Sequence, residues 1–256
     1  MDRRLLKQII YLSGYLAAIF LVLFVIYLIW LKPAPSCFDA VQNQGETGVD
    51  CGGPCASCEI GTLAPFKVSW VKNFPVGGRS VIIAEIKNPN LVWGADNFSY
   101  TFDVYDISDN KIYTLTKSSF IYAGEIKYLV EPNVGVDPKK IGNVKVSFSN
   151  INWKSQEGFL RPETQTREIK TEQSLPIKIS GLVLNNNSYS LSKLNVLGFL
   201  YNQKGNLVSA SETELGGTPA FEEEQFQITF PAAIFIGGAT SSIDFSKTQI
   251  YVEAIR

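Results

Sequence analysis

The residues with the most chemical capacity lie close together near the N-terminal end. The stretch CFDAVQNQGETGVDCGGPCASC, residues 37–58, holds every cysteine of the chain: Cys37, Cys51, Cys55 and Cys58. Thiols at this spacing can close two disulfides, with three pairings open. They can also hold zinc, since C-x3-C-x2-C brings thiolates together, or Cys55-Ala-Ser-Cys58 can act as a redox pair. An oxidising location selects disulfides over zinc, and the redox pair lacks the strand-to-helix setting that lowers a thiol pKa. The segment has few apolar side chains, so cross-links must stand in for a core. Oxygen donors recur in the same loop. Asp39, Asn43, Glu46 and Asp50 could wrap a weakly held calcium ion, although their spacing departs from the EF-hand template. The alternative is that they satisfy the backbone amides of a turn-rich loop.

Elsewhere chemistry is sparse. The chain has no histidine, which removes the commonest general base and the commonest transition-metal ligand. Asp103, Asp106 and Asp109 gather near one turn, where exposure leaves nothing to shift a pKa. No nucleophile-elbow, P-loop or dinucleotide fingerprint occurs. A net charge of −1 with scattered basic residues argues against nucleic acid as a partner. We therefore expect no enzyme. Carboxylate catalysis would need two buried carboxylates of displaced pKa facing one cavity.

What positions the cysteines is the run before them. Ile9 to Leu31 carries no charge and at ~1.5 Å per residue would cross a hydrocarbon core of about 30 Å with some tilt. Arg3, Arg4 and Lys7 precede it and only Lys32 follows closely. That asymmetry puts residues 1–8 in the cytoplasm and residues 33–256 outside, with the bilayer as the partner of residues 9–31. A cleaved signal peptide would have a shorter apolar run. A lipoprotein reading would acylate Cys37, but Ala34-Pro35-Ser36 is a poor recognition site for that. Residues 32–62 then form a proline spacer and a disulfide-rich stem. The pattern C-F-D-x-x-x-N-x-G-E-x-G-V-D-C-G-G-P-C-x-x-C resembles a short motif of bacterial and archaeal surface proteins. The resemblance implies display at the cell surface and no activity.

From Phe66 onward the period is two. Phe98, Tyr100, Phe102 and Val104 fall on one face of a strand, and Ser99, Thr101 and Asp103 on the other. The pattern also recurs. Val81-IIAEIKNPN matches Ile177-KISGLVLNNN, Phe98-SYTFDVYDISDNKIY matches Leu194-NVLGFLYNQKGNLV, and Glu125-IKYLVEP matches Glu224-QFQITFP. Units of this size suit small β-sandwiches. We place one at residues 63–154, a linker or polar first strand at 155–174, and a second sandwich at 175–256. At Phe102-Asp-Val-Tyr-Asp106 the first unit resembles a prokaryotic surface module named for its F-x-L-Y-D motif. The second unit, with Gly198-Phe-Leu-Tyr-Asn202, departs from it at both ends. The resemblance implies an immunoglobulin-like sandwich, related to a type 2 late-embryogenesis fold, with no catalytic residues. Turn chemistry accounts for Asp106 as a cap.

The expectation is thus a mainly β protein: an N-terminal transmembrane helix followed by two tandem antiparallel sandwiches. Its expected role is non-enzymatic, through protein contacts in the envelope. The alternative is a ligand- or glycan-binding module, with aromatics such as Trp93 and Tyr122 lining a cleft between the sandwiches. The apolar stretch 232–238, AIFIGG and its neighbour, reads as a buried strand or a partner surface.

Overall fold

The computed structural model describes residues 3–28, 36–76, 79–230 and 243–256. Residues 29–31 of the expected span, residues 32–35 of the spacer and the apolar stretch 232–238 lie outside the described residues. The chain divides into two compact units, Met1–Leu63 and Ala64–Arg256.

The first unit contains helix α1, Arg3–Ile26. Its portion Lys7–Ile26 is apolar and long enough to cross a membrane, with none of its window buried against protein. The helix begins before the apolar run because nothing between Arg3 and Ile9 breaks it. The cysteines close two bridges, Cys37–Cys55 and Cys51–Cys58, and none is free. A 3-10 turn at Cys58–Thr62 ends the stem, with the Ser57 side chain accepting from the Glu59 N–H.

The second unit is built of antiparallel strands. In chain order they are β1 Lys67–Val76, β2 Arg79–Lys87, β3 Trp93–Tyr105, β4 Lys111–Ile121, β5 Ile126–Val134 and β6 Asn143–Ser155. The polar segment after residue 155 supplies a strand, β7 Thr164–Glu172. Then follow β8 Ile177–Asn185, β9 Lys193–Tyr201, β10 Leu207–Leu215, β11 Glu223–Phe230 and β12 Gln249–Ile255. They form four three-stranded sheets, ordered β1-β2-β5, β4-β3-β6, β11-β8-β7 and β10-β9-β12.

Each pair of sheets encloses a core. Phe98, Tyr100, Phe102 and Val104 of β3 meet Ile82, Ala84 and Ile86 of β2, as the alternation in β3 requires. In the second sandwich Ile177, Ile179 and Val183 of β8 and Phe226, Ile228 and Phe230 of β11 meet Leu194, Val196 and Leu200 of β9. Gly198 is what lets these sheets approach, because a Cβ there would come within 3.1 Å of Ile228 and Phe230.

A third apolar layer joins the two sandwiches. Phe74 of β1 and Val81 and Ile83 of β2 pack against Leu197 and Phe199 of β9 and Leu207 and Ala210 of β10. The Phe199 ring lies 4.6 Å from Tyr128, which meets Tyr251 edge-on at 5.1 Å. The inner sheets are therefore covered on both sides, and their central strands β2 and β9 lose the polar alternation that one-sided burial would leave.

Buried asparagines fix the loops at the sandwich ends. Asn88 donates to the Trp93 and Tyr122 carbonyls and accepts from the Asn90 N–H. Asn185 does the same with the Tyr189 and Thr218 carbonyls and the Asn187 N–H. Asn90 exchanges two bonds with the backbone of Ala64, and Asn187 exchanges two with that of Glu163. Each asparagine pair thereby ties the start of its own sandwich to the loop after its second strand.

Because Phe199 is 2% exposed at the centre of the third layer, Phe199→Ala should lower unfolding stability by about 3–5 kcal/mol. Denaturant titration of the full-length protein, followed by tryptophan fluorescence, checks this; a loss below about 1 kcal/mol would mean that the sandwiches are not joined there.

Candidate functional site

The stem comes first, because it holds the oxygen donors picked out in the sequence. Asp39 accepts from the Ser36 and Val41 N–H groups and from the Asn43 side-chain amide. These bonds, the Asn43 one foremost, hold its carboxyl below the ordinary carboxylate range. Asp50 accepts from the Asp39 and Ala40 N–H groups. Glu46 is buried and accepts from the Asn43 N–H. The four residues are thus brought into one loop, and the three carboxylates among them are engaged by its own N–H groups. Glu46 Oε1 also lies 3.0 Å from Cys55 Sγ, but a disulfide sulfur offers neither a proton nor a thiolate.

At the F-x-L-Y-D-like turn, Asp106 accepts from the Ser108 and Asn110 N–H groups, so it caps the turn between β3 and β4. Asp103 pairs with Lys111 and accepts from Thr114 on the exposed face of β3. Asp109 sits at the turn with a positive φ of 61°. Asp106 and Asp109 thus shape the turn, while Asp103 is taken up by Lys111 and Thr114.

Between the sandwiches lies a feature of a different kind. A cavity of about 540 Å³ is lined by Tyr100, by Lys117 to Ser119 on β4, by Lys127 to Glu131 on β5, and by residues of β9, β10 and β12 from the second sandwich. On β5, Lys127 and Glu131 share the face that carries Leu129 into the first core. Lys127 is 1% exposed and Glu253 8%. Lys127 Nζ stands 2.7 Å from Glu253 Oε1 and 3.9 Å from the Phe120 ring centre, so the two buried charges are each other's partners. Glu131 accepts from the Tyr100 hydroxyl at 2.6 Å and pairs with Lys117. Burial, reinforced by the bond to Glu131, pushes the Tyr100 phenol well above its ordinary range, so it remains a donor. Glu212 retains access to solvent, but its carboxyl is raised, first by lost hydration and then by the charges of Glu253 and Glu131.

A seam of tyrosines flanks this cavity. Tyr122 donates from its hydroxyl to the Ala254 carbonyl at 2.8 Å, and Tyr251 donates to Glu125 at 2.7 Å. Burial holds both phenols above their ordinary range. Tyr122 is 4% exposed and stacks on Phe159 at 4.5 Å. It lines a smaller cavity of about 290 Å³, whereas Trp93, at the start of β3, lines neither. Of the two aromatics expected to line a ligand cleft, Tyr122 thus lines the smaller cavity and also ties the sandwiches together, while the Trp93 backbone carbonyl belongs to the Asn88 loop anchor.

The residues that do line the larger cavity were missed in the sequence, although a signal for them existed. In the match of Glu125-IKYLVEP to Glu224-QFQITFP, Lys127, Leu129 and Glu131 occupy the places of Phe226, Ile228 and Phe230. Those three are fully buried apolar residues of the second core. Two charges thus stand where the other sandwich puts aromatic rings. The arrangement can hold a polar ligand. It does not offer a free acid–base pair, because Glu131 and Glu253 are each taken by a lysine.

No family model and no curated protein matches the chain. Among solved structures, red sea bream transglutaminase is similar over 75% of this chain and 29% of its own, at 13% identity and a TM-score of 0.24. A Bacteroides uniformis β-glucuronidase is similar over 70% of this chain and 26% of its own, at 11% identity and a TM-score of 0.21. The chain thus spans less than a third of either structure, and a likeness this slight carries no argument about activity.

Removing Lys127 leaves Glu253 buried without its cation. Lys127→Met should therefore cost about 3–5 kcal/mol, and Lys127→Met with Glu253→Gln should recover most of that loss. Chemical denaturation of the two variants is the check; equal losses in both would show that the pair is not coupled. For Glu212 the sign is opposite. An acid whose folded pKa is raised opposes folding when ionised, and the opposition fades as pH falls through that pKa. Glu212→Gln should raise the melting temperature at pH 7 and leave it unchanged near pH 4. A gain that grew on acidification would refute the assignment.

Proposed function

We propose that the chain is a membrane-anchored, non-enzymatic module that carries its β-sandwiches outside the membrane for contacts with another envelope protein. The observation that carries this reading is the third apolar layer. Two sandwiches joined by Phe74, Val81, Ile83, Leu197 and Phe199 form one body whose outer faces keep a fixed mutual geometry, which suits a contact surface better than a hinged pair does. Supporting it are α1, which is able to span a membrane, and the two disulfides of an oxidising compartment. The basic head places the N-terminus in the cytoplasm on this reading. The likeness of the stem to a surface-protein cysteine motif, and of the first sandwich to F-x-L-Y-D modules in a tandem arrangement, points the same way.

A second reading, a ligand- or glycan-binding module, is favoured by one observation, the charged cavity between the sandwiches. The two readings separate by experiment. A photo-crosslinking residue placed singly along the outward face of β6 and of β7, in intact cells, should capture one partner of constant mass from several neighbouring positions. Capture from no position, or of a different protein at each, would rule out a specific envelope contact through these faces.

A further inference from the structure

The three asparagines at the end of β8 divide their work. Asn185 is fully buried, and its side-chain amide is spent on the Tyr189, Thr218 and Pro219 carbonyls. Asn187 exchanges two bonds with the backbone of Glu163 and donates to the Asn185 side chain. Between them, Asn186 gives only its backbone N–H, to the Glu163 carbonyl. Its side chain is exposed and enters no hydrogen bond among the described residues, and the same is true of Ser188 two places on.

The first sandwich shows what such a loop requires. There the corresponding stretch reads Asn88-Pro89-Asn90-Leu91, and its two asparagines make the bonds that Asn185 and Asn187 make. Proline stands in the place of Asn186 and leucine in that of Ser188. The loop thus needs neither an amide at the middle position nor a hydroxyl after the second asparagine. Folding accounts for Asn185 and Asn187 and leaves Asn186 and Ser188 over.

Asn186-Asn187-Ser188 is an Asn-x-Ser sequence, the acceptor for transfer of an oligosaccharide to an asparagine amide. The chain holds one other, Asn97-Phe98-Ser99. A transferase must take the tripeptide into a cleft, which a loop permits and the middle of a sheet does not. Asn97 to Ser99 lie within β3, the central strand of its sheet. Phe98 is fully buried there, and the Ser99 hydroxyl accepts from the Asn150 side chain. Asn186 to Ser188 lie between β8 and β9, outside any strand.

We infer that Asn186 is a site of N-linked glycosylation. In the transfer, Asn186 Nδ2 bonds to the anomeric carbon of a lipid-linked oligosaccharide pyrophosphate. The bond from that carbon to the pyrophosphate oxygen breaks, the lipid pyrophosphate leaves, and one amide proton passes to a base of the transferase. No oxidant or reductant is needed. The inference rests on the reading above that the sandwiches lie outside the membrane. It adds a bulky, solvated group at a defined point of the second sandwich.

The test is glycopeptide mass spectrometry on the full-length protein extracted from the membranes of the cells that make it. The tryptic peptide 179–193 should carry an oligosaccharide mass that fragmentation places on Asn186, and the peptide 88–111, with Asn97, should carry none. That mass should be lost in Asn186→Gln and in Ser188→Ala, both substitutions at exposed positions. Protease treatment of right-side-out membrane vesicles separates the two ways of failing. An unmodified Asn186 with residues 64–256 digested would overturn the site and keep the location. Protection of residues 64–256 would overturn the location and the inference with it. A glycan on Asn97 in place of Asn186, or a mass on Asn186 that survives Ser188→Ala, would overturn the choice of acceptor.

Discussion

Two strands are buried on both faces, and the architecture of the second unit follows from them. In β2, Ile82, Ala84 and Ile86 point into the first core while Val81 and Ile83 point into the layer between sandwiches. In β9, Leu194, Val196 and Leu200 point into the second core while Leu197 and Phe199 point the other way. A strand so placed has no wet side, so it must be apolar almost throughout and must be the central strand of its sheet. That one constraint stacks four sheets instead of two separate pairs. It also confines polar chemistry between the sandwiches to the margin, where apolar contact runs out.

The margin is where charge takes over. Along β10 the face that begins with Ala210 in the apolar layer continues to Glu212 and Glu214, and along β9 the face of Leu197 continues to Asn195 and Lys193. The buried pair Lys127–Glu253 is weak evidence for stability, since desolvating two ions offsets much of their attraction. Its value lies elsewhere. Paired charges tolerate one docking register between the sandwiches, whereas a greasy contact tolerates several.

Much of this was legible in the sequence. The period of two in Phe98–Val104 assigned β3 and its core face correctly, because a half-buried strand writes its geometry directly into alternation. The cysteines announced cross-links but not their pairing, which depends on how the loop folds back at Gly48 and Gly52. The doubled apolar runs Val81-Ile-Ile-Ala and Val196-Leu-Gly-Phe-Leu were visible without being interpreted as strands covered on both faces. The cavity was illegible for a stronger reason: its lining is gathered from six strands and both sandwiches, and no local spacing encodes such a meeting. Tyr122 shows a different gap. The ring picked out as a cleft aromatic is also a hydrogen-bonded brace, a role hidden from the sequence because the carbonyl of Ala254 that receives its hydroxyl lies far along the chain.

The position of β12 has a consequence for how the chain is made. It pairs with β9 and brings Tyr251, Glu253 and Ala254 to the first sandwich. Until β12 emerges during synthesis, the second sandwich lacks one strand of the sheet that docks, and the contacts of Tyr251, Glu253 and Ala254 to the first sandwich are missing. The first sandwich must therefore wait with its greasy flank incompletely covered. A nascent chain in that state is a natural client for a holding chaperone, and a pause in translation before β12 would lengthen its vulnerability.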